Sequence, residues 1–370
     1  MKSQGNKNQH YVPQFYFRNF SVDDNKINTY IIKRKEHKFI PIRGQCSKKN
    51  FYGSKEIEKS LSPIEGIHTR ILRKLIGDRN FNDLNLNEEK LLLMLLTLQR
   101  SRTKKSKEMS ESMSDYLTEN YLKELIKNKA PPELKDSFDK VKIKWTSLHS
   151  YEILLSFFVP MLISDLKKVL LINKTEKDFI FGDSPVVLYN PFFANKDIFG
   201  HEGLQNSGLV VFFPLNEKIC LFLYDSSFYE LRNKKRDRVK IIKIEDVRNI
   251  NFLQIYGSDN NIYYKDSRTS TDIDSMMEKF DSSKKLGSGI VENQFPKIKR
   301  KDGTSSQIVG FHSGNISEKF KFKFLKNKNF VPSDNIRNRK LLTNFEEGWK
   351  IIEEKIKKAR KDKKKDFYLF

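Results

Sequence analysis

The chain has 370 residues, of which 38% are hydrophobic and 12% aromatic, and this apolar content is enough for a substantial core. The longest apolar runs are too short for a membrane span, and the two distant cysteines form no CxxC pair, which argues against a transmembrane protein and a disulfide framework. Because the first residues also lack an apolar signal segment, we expect a cytoplasmic protein that does not contact a membrane.

The net charge of +23, from 70 basic and 47 acidic residues, has two competing explanations. A polyanionic partner such as nucleic acid, either RNA or DNA, would select for it. Nucleotide bias in an AT-rich genome would also enrich lysine over arginine, although it would not favour basic over acidic residues. Part of the excess is concentrated in blocks, which favours a function in binding: residues 232–243, 297–301 and 355–365.

The first motif, His-Tyr-Val-Pro-Gln, places polar residues in an aromatic run. Pro13 suits the first turn of a helix in which Gln14 and Arg18 share one face, with His10 just before it. His10 could transfer a proton or ligate a metal, or it could simply hydrogen-bond a backbone carbonyl. Arg18 could bind a phosphate or pair with a carboxylate such as Glu65.

Residues 26–43 predict an N-terminal β-hairpin, because two runs of β-branched and aromatic residues flank a short polar turn. A helical layer is predicted over residues 55–168. Its first helix, residues 57–76, would be kinked or divided by Pro63. Its second helix would be capped by an asparagine near residue 85 and be apolar on all sides.

Gln99, Arg100 and Arg102 follow this apolar helix, and large polar groups after a buried run need partners. They could form a substrate-binding site. Alternatively, the two arginines could lie there because cations are favoured at a helix C-terminus.

Short apolar runs between Val169 and Tyr224, separated by Gly, Asn, Asp and Pro, predict the strands of a mostly antiparallel sheet. A helix over residues 245–256 and a strand over 262–264 follow. We therefore predict an α+β fold in which this sheet, residues 169–265, is backed by the helical layer, with residues 1–265 forming a single core domain.

Asp183 is predicted at a strand end, where Pro185 holds Ser184 extended. This is a suitable place for a general base or a ligand of Mg²⁺ or Mn²⁺, and equally for an Asx turn. Asn251, within a predicted helix, could bind substrate, although a capping or hydrogen-bonding role is commoner for such a residue.

Residues 266–370 are predicted to form a basic C-terminal extension, loop-rich over 266–315 because of its Ser, Gly, Asp and Lys content. Residues 319–325 resemble an edge strand. Residues 344–365 predict a basic amphipathic helix, which together with the apolar tail 367–370 could bind a protein partner.

The motifs resemble those of an uncharacterised bacterial family, number 4238 among the domains of unknown function, over about residues 8–265. The similarity lies at residues 10–14, 46–53, 62–65, 98–103, 181–186 and 251. The sequence Gly182-Asp183-Ser184-Pro185 keeps an Asp-x-Pro frame but departs from the Ser or Thr and the Asn that family members usually show there. The resemblance implies no reaction and assigns no residue a role.

Several common catalytic motifs are absent from the sequence. It has no phosphate-binding GxxxxGK[ST], no GxGxxG after a strand and no GxSxG, which argues against NTP hydrolysis, dinucleotide chemistry and an α/β-hydrolase elbow. The segment from His201 to Gln205 lacks the second histidine of a zincin motif.

The candidate residues together suit a site that handles phosphodiesters. The predicted catalytic residues are His10, Glu65 and Asp183, and the predicted substrate-binding residues are Gln14, Arg18, Gln99, Arg102 and Asn251. The leading hypothesis is a nuclease-like phosphodiesterase of a bacterial toxin or defence system. The alternatives are a non-enzymatic nucleic-acid-binding or assembly protein, whose polar cluster is structural, and an enzyme with a closed pocket for a small phosphorylated metabolite.

Overall fold

The computed structural model describes residues 8–53, 55–81, 83–129, 148–194, 202–282, 290–294, 298–299, 305–306, 309–313, 319–328 and 337. In this part of the chain, no helix has both the length and the apolar character needed to span a bilayer.

The N-terminal elements form the predicted hairpin and a small accompanying ladder. They are β1 (Asn8–His10), α1 (Gln14–Arg18), β2 (Lys26–Ile31), β3 (Glu36–Pro41) and β4 (Ser47–Lys49). The hairpin β2–β3 turns through Lys35, which adopts a left-handed conformation with φ of 53°. Strand β1 pairs with β4, and this pairing holds the first motif against the connector that follows the hairpin.

The predicted helical layer is confirmed by four helices. They are α2 (Lys55–Asp78), α3 (Leu86–Ser101), α4 (Lys104–Lys129) and α5 (Leu148–Leu155), followed by a 3₁₀ turn at Val159–Ile163. Helix α2 continues through Pro63 rather than dividing there. Helix α3 begins with the predicted cap at Asn85. The Asn85 side chain accepts a hydrogen bond from the backbone N–H of Glu88, and the Glu88 side chain accepts one from the backbone N–H of Asn85.

A six-stranded sheet forms the centre of the fold. Its strands are β5 (Lys167–Asn173), β7 (Val187–Tyr189), β8 (Val210–Asn216), β9 (Ile219–Tyr224), β11 (Lys234–Lys235) and β12 (Arg238–Ile241). Their order is β11-β12-β5-β9-β8-β7, and every pair is antiparallel except β12 with β5. The predicted α+β class with a mostly antiparallel sheet is therefore confirmed.

A four-stranded sheet, ordered β3-β2-β13-β6, packs beside it. It joins the hairpin to β6 (Phe181–Gly182) and β13 (Asn261–Tyr264). Strand β13 pairs with β2 on one side and with β6, which precedes Asp183, on the other, so one sheet joins segments that are far apart in sequence.

Alternate residues of the central strands point to two hydrophobic clusters on opposite faces of the sheet. Leu170, Phe213 and Leu221 face helices α2 and α3. Leu171, Phe212 and Phe222 face α6 (Ile244–Gly257) and α7 (Ser270–Ser282). The sheet is thus backed by helices, as predicted, and they cover both of its faces.

The region beyond residue 265 contains more regular structure than expected. Helix α7 lies inside the segment predicted to be loop-rich, and it buries Ile273, Met276 and Met277. Its apolar residues have helical spacing, but the surrounding Ser, Asp and Lys obscure that pattern. The domain boundary at 265 stays a prediction, although side chains on both sides of it share one core.

The predicted edge strand at 319–325 is shifted along the chain. Strand β18 (Leu325–Asn327) pairs with β10 (Tyr229–Leu231), while Phe320, Phe322 and Phe324 precede it as buried residues without strand pairing. Shorter pairs join β14 (Ile290–Gln294) to β17 (Val309–Ser313) and β15 (Ile298–Lys299) to β16 (Ser305–Ser306). The predicted C-terminal helix and tail lie outside the described residues.

Candidate functional site

The guanidinium of Arg102 lies at the centre of a buried hydrogen-bond network, which we call the Arg102 network. Arg102 is 3% exposed. It donates to the carboxylate of Glu65 at 2.8 Å, to the hydroxyl of Tyr52 at 3.0 Å and to the carbonyl of His10 at 2.6 Å. Tyr52 donates to that same carbonyl at 2.7 Å. Three elements distant in sequence are thus fastened by one side chain at the end of α3.

Gln99 and Gln9 extend this network. The Gln99 amide donates to the carbonyl of Tyr11 at 3.0 Å, and its own Oε1 is buried without a partner in the described part of the chain. The Gln9 amide accepts from the N–H of Tyr52 at 2.7 Å and donates to Glu58 at 3.0 Å. Gln9 and Gln99 each bind a backbone group, and Gln9 also binds the Glu58 side chain, as expected of polar groups that hold a fold together.

The backbone carbonyl of His10 belongs to the Arg102 network, whereas its imidazole ring makes its hydrogen bond at the protein surface. The ring Nε2 is 2.9 Å from the carbonyl of Arg43 and 3.3 Å from the amide nitrogen of Gln14. A histidine hydrogen-bonded to a backbone carbonyl is the structural alternative considered for this residue. Arg18 is exposed on α1, and Glu65 pairs with Arg102 instead of Arg18.

Asp183 is buried at the end of β6 and forms what we call the Asp183 corner. One carboxylate oxygen accepts from the N–H of Asp259 at 3.0 Å. The other accepts from the N–H and the side-chain amide of Asn260, each at 2.9 Å. Burial raises the pKa of this carboxyl, while the hydrogen bonds from Asn260 and Asp259 oppose that rise. The corner fastens the turn after α6 to the four-stranded sheet.

Two amides of α6 hold the chain around this corner. Asn251 accepts from the N–H of Ile180 at 3.1 Å and donates to the carbonyl of Asp178 at 2.8 Å. Gln254, one turn later, accepts from the N–H of Gly182 at 3.3 Å and donates to the carbonyl of Pro185 at 3.1 Å. Both amides hydrogen-bond backbone groups of the segment around Asp183. Asn251 and Gln254 therefore hold this segment in place.

Gly182 supplies a sharp test of this packing. A Cβ at this position would overlap Ser258 Oγ and lie 3.0 Å from the carbonyl oxygen of Gln254, so we expect Gly182→Ala to cost about 1–3 kcal/mol of unfolding free energy. Gly66→Ala in α2 is the matched control, because no atom lies within 4 Å of its added Cβ. Urea denaturation of both variants measures the difference; equal stabilities would contradict the close approach of β6 and α6.

All the predicted site residues except Gln14 and Arg18 therefore fall into two neighbouring groups. His10, Glu65, Gln99 and Arg102 meet in the Arg102 network, while Asp183 and Asn251 lie in the Asp183 corner. The two groups are adjacent, because the charge of Asp183 contributes to raising the pKa of Tyr11, although burial is the largest cause of that rise. The described residues provide no hydrogen bond that joins Asp183 to His10 or Arg102.

The donor set around Asp183 does not suit a cation. Both carboxylate oxygens already face N–H groups, which repel a metal ion as they would any positive charge. Among the residues that the structure describes, no group of three or more His, Cys, Asp or Glu side chains has an arrangement that could hold a metal.

A different surface concentrates positive charge, and we call it the basic groove. It lies along β12 and the β11–β12 turn, with a volume of about 680 Å³. Its charged lining is entirely cationic: Arg79, Lys174, Lys234, Lys235, Arg238 and Lys240. Lys235 lies directly opposite Arg238 in the strand register, and like charges placed opposite each other weaken a sheet.

A smaller cleft contains a carboxyl group that the sequence analysis did not select. Glu202 lies there with Arg100 and Lys105, and burial raises its pKa to about 7, although Lys105 and Arg100 oppose the rise. In the sequence, Glu202 belongs only to the segment from His201 to Gln205, which lacks the second histidine of a zincin motif. Its neighbours are about a hundred residues away along the chain, so no local pattern signals the cleft.

Comparisons with known proteins agree with the resemblance seen in the motifs. Residues 8–268 match the model of a family described as "Protein of unknown function (DUF4238)". No curated protein and no solved structure matches the chain.

Proposed function

We propose that this chain, which belongs to the family described as "Protein of unknown function (DUF4238)", binds nucleic acid in the cytoplasm through the basic groove. The observation that carries the proposal is a groove with six cationic side chains and no acidic one in its lining. Phosphate backbones are bound mainly by such clusters, through Coulomb attraction and release of counterions.

The alternative origin of the charge, a general bias towards lysine, predicts basic residues scattered among acids. The groove beside β2 has that mixed character. It is of similar size, about 650 Å³, and its lining includes Glu176, Asp178, Glu217 and Asp266 as well as Lys218, Lys265 and Arg268. Because the two grooves of one molecule differ so clearly, the clustering along β12 supports a binding function.

The cations of the basic groove are available to a ligand. Within the described part of the chain, its only ion pair joins Arg238 to Asp237, at 3.8 Å, and the other five side chains form none. Ile242, 62% exposed, adds an apolar contact at the same surface. A nucleic acid could therefore bind without first breaking strong internal salt bridges.

The Arg102 network and the Asp183 corner support the non-enzymatic form of the proposal. The carboxylates of Glu65 and Asp183 accept hydrogen bonds from other groups of the protein. Gln99 and Asn251 donate to backbone carbonyls, and Arg102 donates to Glu65. In these contacts they hold α2, the end of α3 and the first motif together, and fasten the turn after α6 to the four-stranded sheet. Phosphodiester hydrolysis, and a role in a toxin or defence system, stay predictions from the sequence.

The groove is tested by removing three of its charges. We expect Lys234→Gln/Lys235→Gln/Lys240→Gln to weaken binding to a labelled DNA duplex. The slope of log Kd against the logarithm of the salt concentration should also fall by up to about 3, because each lost phosphate contact removes about 0.9 from that slope. Fluorescence anisotropy over a salt series measures both quantities, with a labelled single-stranded RNA run in parallel.

The control variant, Lys33→Gln/Lys48→Gln/Lys49→Gln, removes the same charge from exposed lysines elsewhere. It should keep the salt dependence of the unmodified protein. Equal loss in the two triple variants would mean that net charge alone drives binding, and would overturn the groove. The same nucleic acids, incubated with Mg²⁺, Mn²⁺ or EDTA and examined for cleavage, test the nuclease hypothesis.

A further inference from the structure

The cleft that contains Glu202, which we call the Glu202 cleft, is separate from the basic groove. It adjoins Leu188 of β7, at the opposite edge of the central sheet from β12. In the sheet order, four strand spacings of about 4.8 Å separate β7 from β12, so the two surfaces lie about 20 Å apart. The cleft encloses about 120 Å³, comparable to about four water molecules at ~30 Å³ each.

Glu202 has intermediate exposure, and one of its carboxylate oxygens is enclosed by the protein. Its Oε1 is buried and accepts no hydrogen bond from the described residues. Arg100 and Lys105 are close enough to affect its pKa, yet neither forms an ion pair with it within 4.0 Å. The charged groups therefore surround a space instead of closing on one another.

The guanidinium of Arg100 is also without a partner. It makes no hydrogen bond or ion pair with the part of the chain that the structure describes, and burial lowers its pKa. Arg100 has intermediate exposure, and an anion in the cleft would give its guanidinium a charged hydrogen-bond partner. Arg100 lies in the last turn of α3 and Arg102 directly after that helix, yet the carboxylate near Arg100 is Glu202 and the one bound by Arg102 is Glu65.

The first turn of α4 forms another wall of the cleft. Thr103 caps this helix, because its hydroxyl accepts from the N–H of Ser106 at 3.2 Å and its carbonyl from that of Lys107 at 3.1 Å. The N-terminus of a 26-residue helix carries partial positive charge and N–H groups that favour anions. Two cationic side chains and this helix end thus face one small space.

We propose that the Glu202 cleft binds a phosphate group, either free inorganic phosphate or the terminal phosphate of a small metabolite, between Arg100, Lys105 and the first turn of α4. This site is independent of nucleic-acid binding at the basic groove. Its volume suits a single tetrahedral oxyanion, and the hydroxyls of Ser106 and Ser184 line the same space as additional donors.

Glu202 makes this binding depend on pH. As a carboxylate it competes with the anion for Arg100 and Lys105, whereas as a neutral acid it donates a hydrogen bond to the anion. The other charged neighbours are Glu152 beside Arg100, Asp259 beside Lys105, and Lys104 and Glu108 beside Asp259. Because the pKa of Glu202 is about 7, binding should weaken as the pH rises through neutrality.

Sulfate is the probe for this test, because it stays a dianion over the whole range, unlike phosphate. Isothermal titration calorimetry should show sulfate binding about tenfold weaker at about pH 8 than at about pH 6, as the protonated fraction of Glu202 falls. Glu202→Gln should bind equally at both values, because the amide cannot ionise. Arg100→Gln should lose binding at both.

Glu176→Gln, an exposed acid of the mixed groove, is the matched control and should keep the pH dependence of the unmodified protein. Displacement of sulfate by inorganic phosphate but not by adenosine 5′-monophosphate or glucose 6-phosphate would assign the free anion; displacement by either ester would assign a phosphorylated metabolite. Absence of sulfate binding to the folded protein at about pH 6, or an unchanged pH dependence in Glu202→Gln, would overturn the proposal.

Discussion

Replacing Arg102 by methionine should lower the free energy of unfolding by about 3–5 kcal/mol, the usual loss when one partner of a buried ion pair is removed. Arg102 is 3% exposed and holds Glu65, Tyr52 and the carbonyl of His10 together. Methionine keeps much of the apolar volume, so the loss reports the guanidinium contacts rather than a cavity. Equilibrium urea unfolding followed by tryptophan fluorescence and circular dichroism measures the change.

The double-mutant cycle with Glu65→Gln identifies the ion pair itself. Each single variant leaves one charge without its partner, so the double variant should lose less than the sum of the two. Lys38→Met is the surface control, since Lys38 and its partner Glu36 are both well exposed. If Arg102→Met were as stable as Lys38→Met while losing a specific activity, Arg102 would belong to a functional site and the structural assignment would fail.

Replacing Asp183 by alanine is expected to be the second strongly destabilising change, at about 3 kcal/mol. Two backbone N–H groups and one amide lose their acceptor, and each buried group left unsatisfied costs about 1–3 kcal/mol, partly offset because a desolvated carboxylate is removed. Asp183→Asn should lose less, because one side-chain oxygen still accepts. Thermal and urea unfolding of both variants give the order.

Asp23 provides the control for this experiment. Its carboxylate also accepts from two backbone N–H groups, those of Asn25 and Lys26, but in an exposed turn where water can replace it. Asp23→Ala should therefore leave the unfolding midpoint almost unchanged. An Asp183→Asn protein that is fully stable yet has lost an activity on RNA or DNA would instead support the catalytic role predicted from the sequence.

The sequence was most informative where structure depends on neighbouring residues. Local hydrogen bonding accounts for the cap at Asn85. The spacing of apolar side chains predicts the hairpin of the first forty residues and helix α6. The same logic failed at α7, because polar residues obscure its apolar face. Of the two effects predicted for Pro63, a kink or a division of the helix, division does not occur, because α2 continues through it.

The candidate residues were predicted from their chemistry, and their spatial grouping could be predicted only in part. Polar residues attached to apolar elements must find buried partners: Arg102 finds them in Glu65 and the carbonyl of His10, and Gln99 finds one in the carbonyl of Tyr11. The sequence did not distinguish a partner that is substrate from one that is backbone. Of the two partners considered for Arg18, Glu65 is taken by Arg102, while Arg18 is exposed on a five-residue helix and its binding of a phosphate stays a prediction.

The spacing of apolar residues predicts the fold class, because it is a repeat along the chain. The net charge and its blocks lead to the expectation of an anionic partner, because charge is a sum over residues. Which charges share a surface depends on pairing between distant strands and helices. Strand register places Lys235 opposite Arg238, and the joint between α3 and α4 turns Arg102 towards Glu65 while Arg100 faces Glu202. Such contacts depend on long-range packing, so no local pattern in the sequence reveals them.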